Sequence, residues 1–291
     1  MSLNKTTKTT TTTTSPIRIV STSNRLSMTC AINDYRGTGN DLQGCVNDAI
    51  GWDDILVKRG FQNILLKDSQ VTKDVFLQTF GNYVSDAKSG YSIVITNSSH
   101  GTSLPDNNGD DPDGKDEALC MYDGFLVDDD IRNIIKNLAD GVNLTIISDS
   151  CFSGTVTRAF LNSIRNSNPP VPRYMPPPDN VNAARLGILP VKNRMFHTEE
   201  DMKEILISGC NDNEYSYDAY LGGAYHGAMS YFAQKIINEN GPLTYKQFYD
   251  KLRANLPQNA YPQTPQLEGK DENKNKIMFA WKADKKRKRN H

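Results

Sequence analysis

Short runs of β-branched and apolar residues, each ending in a cluster of small polar ones, recur along this chain and constrain its fold more than any other feature. The sharpest is Asn143–Gly154, NLTIISDSCFSG, in which Leu144–Ile147 gives way to Ser148-Asp149-Ser150-Cys151-Phe152-Ser153-Gly154. A run of that length with turn residues behind it predicts a buried strand ending in a loop. Tyr91–Thr96 (YSIVIT) predicts another, followed by Asn97-Ser98-Ser99-His100-Gly101. Ser27–Ile32, Asn63–Lys67 and Glu204–Ser208 read as further strands, and Lys276–Trp281 as a closing one. Between them lie stretches of helical spacing. Val46, Ile50, Ile55 and Leu56 form a stripe closing at Gly60, and Val75, Leu77, Phe80 and Val84 point inward from Val71–Ala87. Gly222–Asn240 continues into a helix with Met229, Phe232, Ala233 and Ile236 inward, and Leu243–Leu256 is amphipathic. Strands alternating with helices predict an α/β fold with a mainly parallel central sheet flanked by α-helices.

In such sheets chemistry collects at the carboxyl ends of the strands. A His past one strand and a Cys past another enter the same crevice if the two strands are parallel neighbours. The imidazole of His100 then holds the Cys151 thiol as thiolate or takes its proton. Gly101 lets a backbone N–H approach a substrate carbonyl, and with the N–H of Cys151 it makes an oxyanion hole. His226 is a rival base, but it sits at the start of a helix rather than past a strand beside the Cys strand. Cys45 and Asp48, three residues apart, share one face of a helix's first turn.

Two of these segments, His100-Gly101 and Asp149-Ser150-Cys151-Phe152-Ser153-Gly154, resemble the catalytic segments of metacaspases, cysteine peptidases of the caspase-like clan. Ser99 stands where the family's usual pattern has Gly, and Phe152 where it has a second His. The resemblance extends over about residues 25–280. It takes in Leu42-Gln43-Gly44-Cys45-Val46-Asn47-Asp48-Ala49, the run Ser208–Asp218, and Pro265-Gln266-Leu267. It implies a caspase-like fold, a Cys151–His100 dyad, and an S1 pocket lined by Cys45, Asp48, Ser98, Asp149 and Asp212. Three converging carboxylates call for a cation, so the expected substrates are proteins or peptides with a basic P1 residue, Arg favoured over Lys because its fork pairs bidentately. The resemblance also implies activation by calcium, held by Asp116, Asp128 and Asp129, although Arg158 stands where the family has a further acidic ligand. Asp128-Asp129-Asp130 opens a helix, where anions are favoured and Asp128 is placed to cap. A monomer is implied as well. A catalytically inactive scaffold of the same fold is the alternative; a serine hydrolase is disfavoured because no G-x-S-x-G occurs.

The rest of the chain sets the frame. Residues 1–24 form a Thr/Ser-rich tail too polar to offset its ordering entropy. Residues 25–284 read as one peptidase domain, with a large part (25–158), a linker (159–203) and a small part (204–284). The linker is rich in proline and carries Arg165, Arg173, Arg185, Lys192 and Arg194, so an enzyme cutting after basic residues is expected to cut itself there. A basic cluster, Lys285–Arg289, lies within the tail 285–291 and suits nuclear targeting or a polyanion. The net charge of −1 implies no nucleic-acid partner for the whole molecule, and the five cysteines fit a reducing, cytoplasmic setting. No apolar stretch approaches the roughly 18 residues of a membrane span.

Overall fold

The computed structural model describes residues 23–105, 115–152, 169–177, 198–211 and 214–279. In chain order the first elements are β1 (Arg25–Ala31), α1 (Cys45–Lys58), β2 (Gln62–Lys67), α2 (Lys73–Asp86) and β3 (Ser92–Ser98). Then come β4 (Gly101–Pro105), β5 (Lys115–Met121), β6 (Gly124–Val127), α3 (Asp128–Ile135) and β7 (Asn143–Asp149). The remainder holds β8 (Val171–Pro172), β9 (Glu204–Ser208), β10 (Tyr217–Leu221), β11 (Ala224–Gly227), α4 (Ala228–Glu239), α5 (Tyr245–Arg253), β12 (Gln266–Glu268) and α6 (Asp271–Lys274).

Six strands make the central sheet in the order β12-β9-β7-β3-β1-β2, all parallel except β12. The expected α/β class with a mainly parallel sheet is therefore what the chain adopts. Because strand side chains alternate between faces, β3 divides its apolar residues. Ile93 and Ile95 join one core with Phe76, Phe80 and Val84 of α2, and Val94 joins a second core with Trp52, Ile55 and Leu56 of α1. β7 divides in the same way, Leu144 to the first core and Ile147 to the second, where Met229, Ala233 and Ile236 of α4 also pack. A sheet covered on both faces explains why its strands read as continuous apolar runs.

Three sequence expectations are corrected. Ile50 of α1 is 48 % exposed and Val75 of α2 38 % exposed, so neither belongs to its helix's inward stripe. In place of a strand from Lys276, Ile277 makes a single bridge to Thr244, and Trp281 lies outside the described residues. Asp128 is the first residue of α3 rather than its cap. The cap position is Val127, and the Asp128 carboxylate accepts instead from the N–H of Asp129 at 2.9 Å. Two small antiparallel sheets, β4-β5-β6 and β11-β10-β8, were not expected at all. Among the described residues no helix is long and apolar enough to cross a membrane.

Candidate active site

β3 and β7 are paired in parallel with Ser98 opposite Asp149. His100 and Cys151 each follow two residues later, so the register alone brings the two loops to one place on the carboxyl edge. Both side chains are buried, His100 at 3 % and Cys151 at 0 % exposure.

His100 is held on one side. Its Nε2 lies 2.7 Å from the backbone oxygen of Asn40, a carbonyl that can only accept, so Nε2 carries the ring proton. Nδ1 is left as the basic nitrogen; it is buried and has the Arg173 backbone beside it. Tyr35 fixes the ring from behind at 5.0 Å between centroids, and its hydroxyl accepts from the His100 N–H at 2.9 Å. Burial pushes the imidazole below its ordinary value, with the Arg173 charge adding to this against the hydrogen bond to Asn40. A neutral base results.

The residue that organises the cleft is Arg173. Its carbonyl oxygen accepts from Gly101 N–H at 3.0 Å and from Cys151 N–H at 3.2 Å, the two groups expected to form an oxyanion hole. A Cβ on Gly101 would collide with the backbone carbonyl of Cys151, so only glycine brings this N–H so close. Arg173 N–H donates to Ser216 O at 2.9 Å, and Val171–Pro172 pair antiparallel with Tyr217–Asp218 of β10. The Cys151 sulfur accepts from Ser216 N–H at 2.6 Å and donates to Ser216 O at 3.1 Å. Residues 171–175 thus lie across the cleft as an added strand with Arg173 over the thiol.

The Arg173 guanidinium is wholly buried among three carboxylates: Asp48 at 2.7 Å, Asp218 at 2.9 Å and Asp149 at 3.4 Å. Each carboxylate is held by its own donors. Asp48 accepts from Gly227 N–H at 3.0 Å and from Ser98 Oγ at 3.3 Å. Asp149 accepts from Ser230 N–H at 2.9 Å, in the first turn of α4, and from the Ser216 hydroxyl. Asp218 accepts from Gln43 N–H at 2.8 Å and Gly44 N–H at 3.0 Å, at the start of α1. Backbone donors at helix starts favour charged carboxylates there. Burial works against the charge on Arg173 but Cys45, Asp48, Asp149 and Asp218 overcome it, and the guanidinium is held firmly cationic. Burial raises the Asp48 carboxyl, and Arg173 opposes that rise.

Of the five expected pocket residues, Asp48, Ser98 and Asp149 meet here directly. Cys45 is buried close enough to feel the charges of Arg173 and Asp218. Asp212 lies outside the described residues. Asp218, which carries the third carboxylate, went unassigned in the sequence although it closes the same Ser208–Asp218 run; its place opposite the start of α1 is set by tertiary contacts alone. The rival base His226 is engaged with the pocket instead, its Nδ1 lying 3.2 Å from Asp48. The anchoring carbonyl of Asn40 was also missed, since a backbone group leaves no mark in a sequence.

Two of the expected calcium ligands are described with other surroundings. Asp128 is ion-paired with Arg132, Asp116 is buried on β5, and among the described residues no three acidic, His or Cys side chains converge as a metal site. Arg158 lies outside the described residues.

Known proteins resemble this chain in sequence and in fold. A family model for the metacaspase, peptidase C14 domain matches residues 25–159. Metacaspase-1 of Schizosaccharomyces pombe is 29 % identical over 277 residues, covering 80 % of this chain and 64 % of that protein. Metacaspase-1B of Neosartorya fischeri is 28 % identical over 285 residues, covering 84 % and 69 %. The chain thus spans rather less than two thirds of the length of the Schizosaccharomyces relative. A crystal structure of a Geobacter sulfurreducens protein superposes with a TM-score of 0.69 over 88 % of this chain and 98 % of that one, at 24 % identity, which bears on the fold alone. Residues 25–159, just under half of the chain, thus match the metacaspase, peptidase C14 domain, and the chain is similar over most of its length to curated metacaspases.

Proposed function

We propose that this chain is a cysteine endopeptidase cutting after arginine, and after lysine more slowly, and that one of its substrates is its own Arg173–Tyr174 bond. The observation that carries this reading is the seat of Arg173: guanidinium among three carboxylates, carbonyl on two N–H groups, peptide N–H on Ser216. A productive P1 residue needs all three at once.

The chemistry follows from the groups present. Cys151 Sγ attacks the Arg173 carbonyl carbon while its proton passes to Nδ1 of His100. The developing oxyanion rests on the N–H groups of Gly101 and Cys151. Collapse breaks the C–N bond, and His100 returns the proton to the Tyr174 amine. A water, deprotonated by His100, then hydrolyses the thioester, releasing an Arg173 carboxylate and the free thiol. Lysine reaches the same carboxylates as a point charge and forgoes the fork, which favours arginine.

The test is incubation of the full chain with mass analysis of the fragments, beside a Cys151→Ala chain, with millimolar calcium and with a chelator. A fragment ending at Arg173, absent from the variant, supports the reading. Cutting that needs calcium adds the metal; cutting equal in both conditions drops it. An uncut chain that also leaves Arg peptides intact means a scaffold, and the reading fails.

A further inference from the structure

Beyond Arg173 the cleft continues on the far side of the bond. Tyr174 bridges to Gly101 in parallel fashion, and Met175 N–H donates to Gly101 O at 3.0 Å. Gly101 therefore holds the chain on both sides, by its N–H before the bond and by its carbonyl after it. The Tyr174 side chain packs against the small cluster of Cys151, Cys210, Tyr215 and Tyr217. Its ring stands 6.3 Å from that of Tyr215 at 60°, and Tyr215 in turn meets Tyr217 edge-on at 6.3 Å. Tyr215 is only 4 % exposed, and burial pushes its phenol up to about 12, so the wall stays uncharged at neutral pH.

We infer that Tyr215 and Tyr217 form an S1′ subsite that selects an aromatic residue after the cleaved bond, which makes arginyl–aromatic bonds the favoured substrates. This rests on the peptidase reading above. Tilted and edge-to-face ring pairs at 4.5–7 Å are attractive beyond the area they bury. A small residue would leave the wall unfilled, and a charged one would be desolvated beside the thiol. Nothing in the Arg173 pocket requires Tyr174 to take this seat; the carbonyl and guanidinium are fixed independently of it.

The experiment compares two quenched peptides, Val-Pro-Arg-Tyr-Met and Val-Pro-Arg-Ala-Met, cut by the full chain, and follows self-cleavage of Tyr174→Phe and Tyr174→Ala chains. The Tyr peptide is expected to be cut about fivefold faster in kcat/KM, a ring-pair energy converted to rate. Tyr174→Phe should process at the unaltered rate and Tyr174→Ala about fivefold more slowly. In a Tyr215→Leu chain, which stays apolar but lacks the ring, the ratio of the two peptides should fall toward one. A ratio is unmoved by partial misfolding, so a merely structural Tyr215 would leave it at fivefold and sink the subsite. Equal rates on both peptides in the unaltered chain would also overturn it while leaving cleavage after Arg intact. Failure to cut either peptide, or the chain itself, would remove the peptidase reading and the subsite with it.

Discussion

The central sheet and the segment 169–177 reach the same cleft by opposite routes. β3 and β7 are apolar, alternate between two cores, and place His100 and Cys151 by register. Residues 169–177 have no periodicity and contribute two strand residues, yet they supply the one arginine that is completely buried among the described residues. The sheet is specified by burial, which is non-directional and leaves a pattern in the chain. The segment is specified by a few directional bonds to a pocket already built, and leaves none. Framework and occupant should therefore fail differently when they are altered.

The largest effect is expected at the thiol. Cys151→Ala removes the proposed nucleophile, and cleavage of Arg peptides and of the Arg173–Tyr174 bond should fall by at least about a thousandfold. The fold should persist, because the change deletes one sulfur from a small cluster at the edge of the cores. Matched melting curves beside the activity assay check both halves. Activity surviving the change would transfer the chemistry away from the carboxyl edge of β7.

Arg173 should behave as structure as well as substrate. Arg173→Ala strands three buried carboxylates, and removing one partner of a buried ionic cluster costs about 3–5 kcal/mol. That is comparable to truncating Ile147 in the sheet, at about 2–5 kcal/mol, although the two losses differ in origin. Lowering the pH to protonate carboxylates should narrow the gap between Arg173→Ala and the unaltered chain and leave an Ile147→Ala deficit in place. Denaturant unfolding at two pH values separates them. A deficit at Arg173 that ignores pH would mean the carboxylates are not what it holds.

Much of the sheet was legible in advance, and the reasons are local. YSIVIT and LTII are buried on both sides, so their apolar runs needed no context, and the His-Gly and Asp-Ser-Cys ends stood out against them. The β5–β6 hairpin was passed over because its strands are embedded in a carboxylate-rich stretch, although Asp123-Gly124 is a turn signal between ALCM and FLV. Lys276–Trp281 had the composition of a strand, but its described part, 276–279, meets the chain before α5 in a single bridge. Arg173 was noted only as one of several basic residues in the linker; its choice over the others depends on β8 pairing with β10, a contact between segments some 45 residues apart.

The base offers a sharper and smaller test. Burial and the nearby guanidinium both hold His100 below the usual histidine value of about 6.5. A base lowered in this way stays neutral, and so active, to lower pH than a free imidazole. The acid limb of kcat/KM on an Arg peptide should lie below pH 6.5, with rate lost as His100 protonates. The same shift makes the unfolded chain the better proton acceptor, so this group's share of stability falls as pH drops through 6.5 toward the folded value. Tyr35→Phe removes the hydroxyl that takes the His100 N–H and should lower the rate modestly while keeping the limb in place. A limb at or above 6.5 would mean the imidazole is far wetter than its 3 % exposure implies.

The smallest expected effect lies within one helix and tests the framework on its own terms. The helical stripe read from the sequence put Ile50 and Ile55 on the same inward face of α1. The structure leaves Ile50 48 % exposed and buries Ile55 to 1 % against Trp52, Leu56 and the α4 residues. Five residues at 100° each turn 500°, so the two side chains stand about 140° apart around the axis, too far for one face. The carboxylate three residues after Cys45 decides which face is inward, because Asp48 must meet Gly227 and Arg173. Ile50→Ser should then change stability by less than about 0.5 kcal/mol, as a surface substitution does, and Ile55→Ala by about 2–5 kcal/mol. Urea midpoints with an unchanged slope would report both. If Ile50→Ser cost as much as Ile55→Ala, α1 would have to be turned about its axis, which would carry Asp48 out of the pocket and leave Arg173 with two carboxylates.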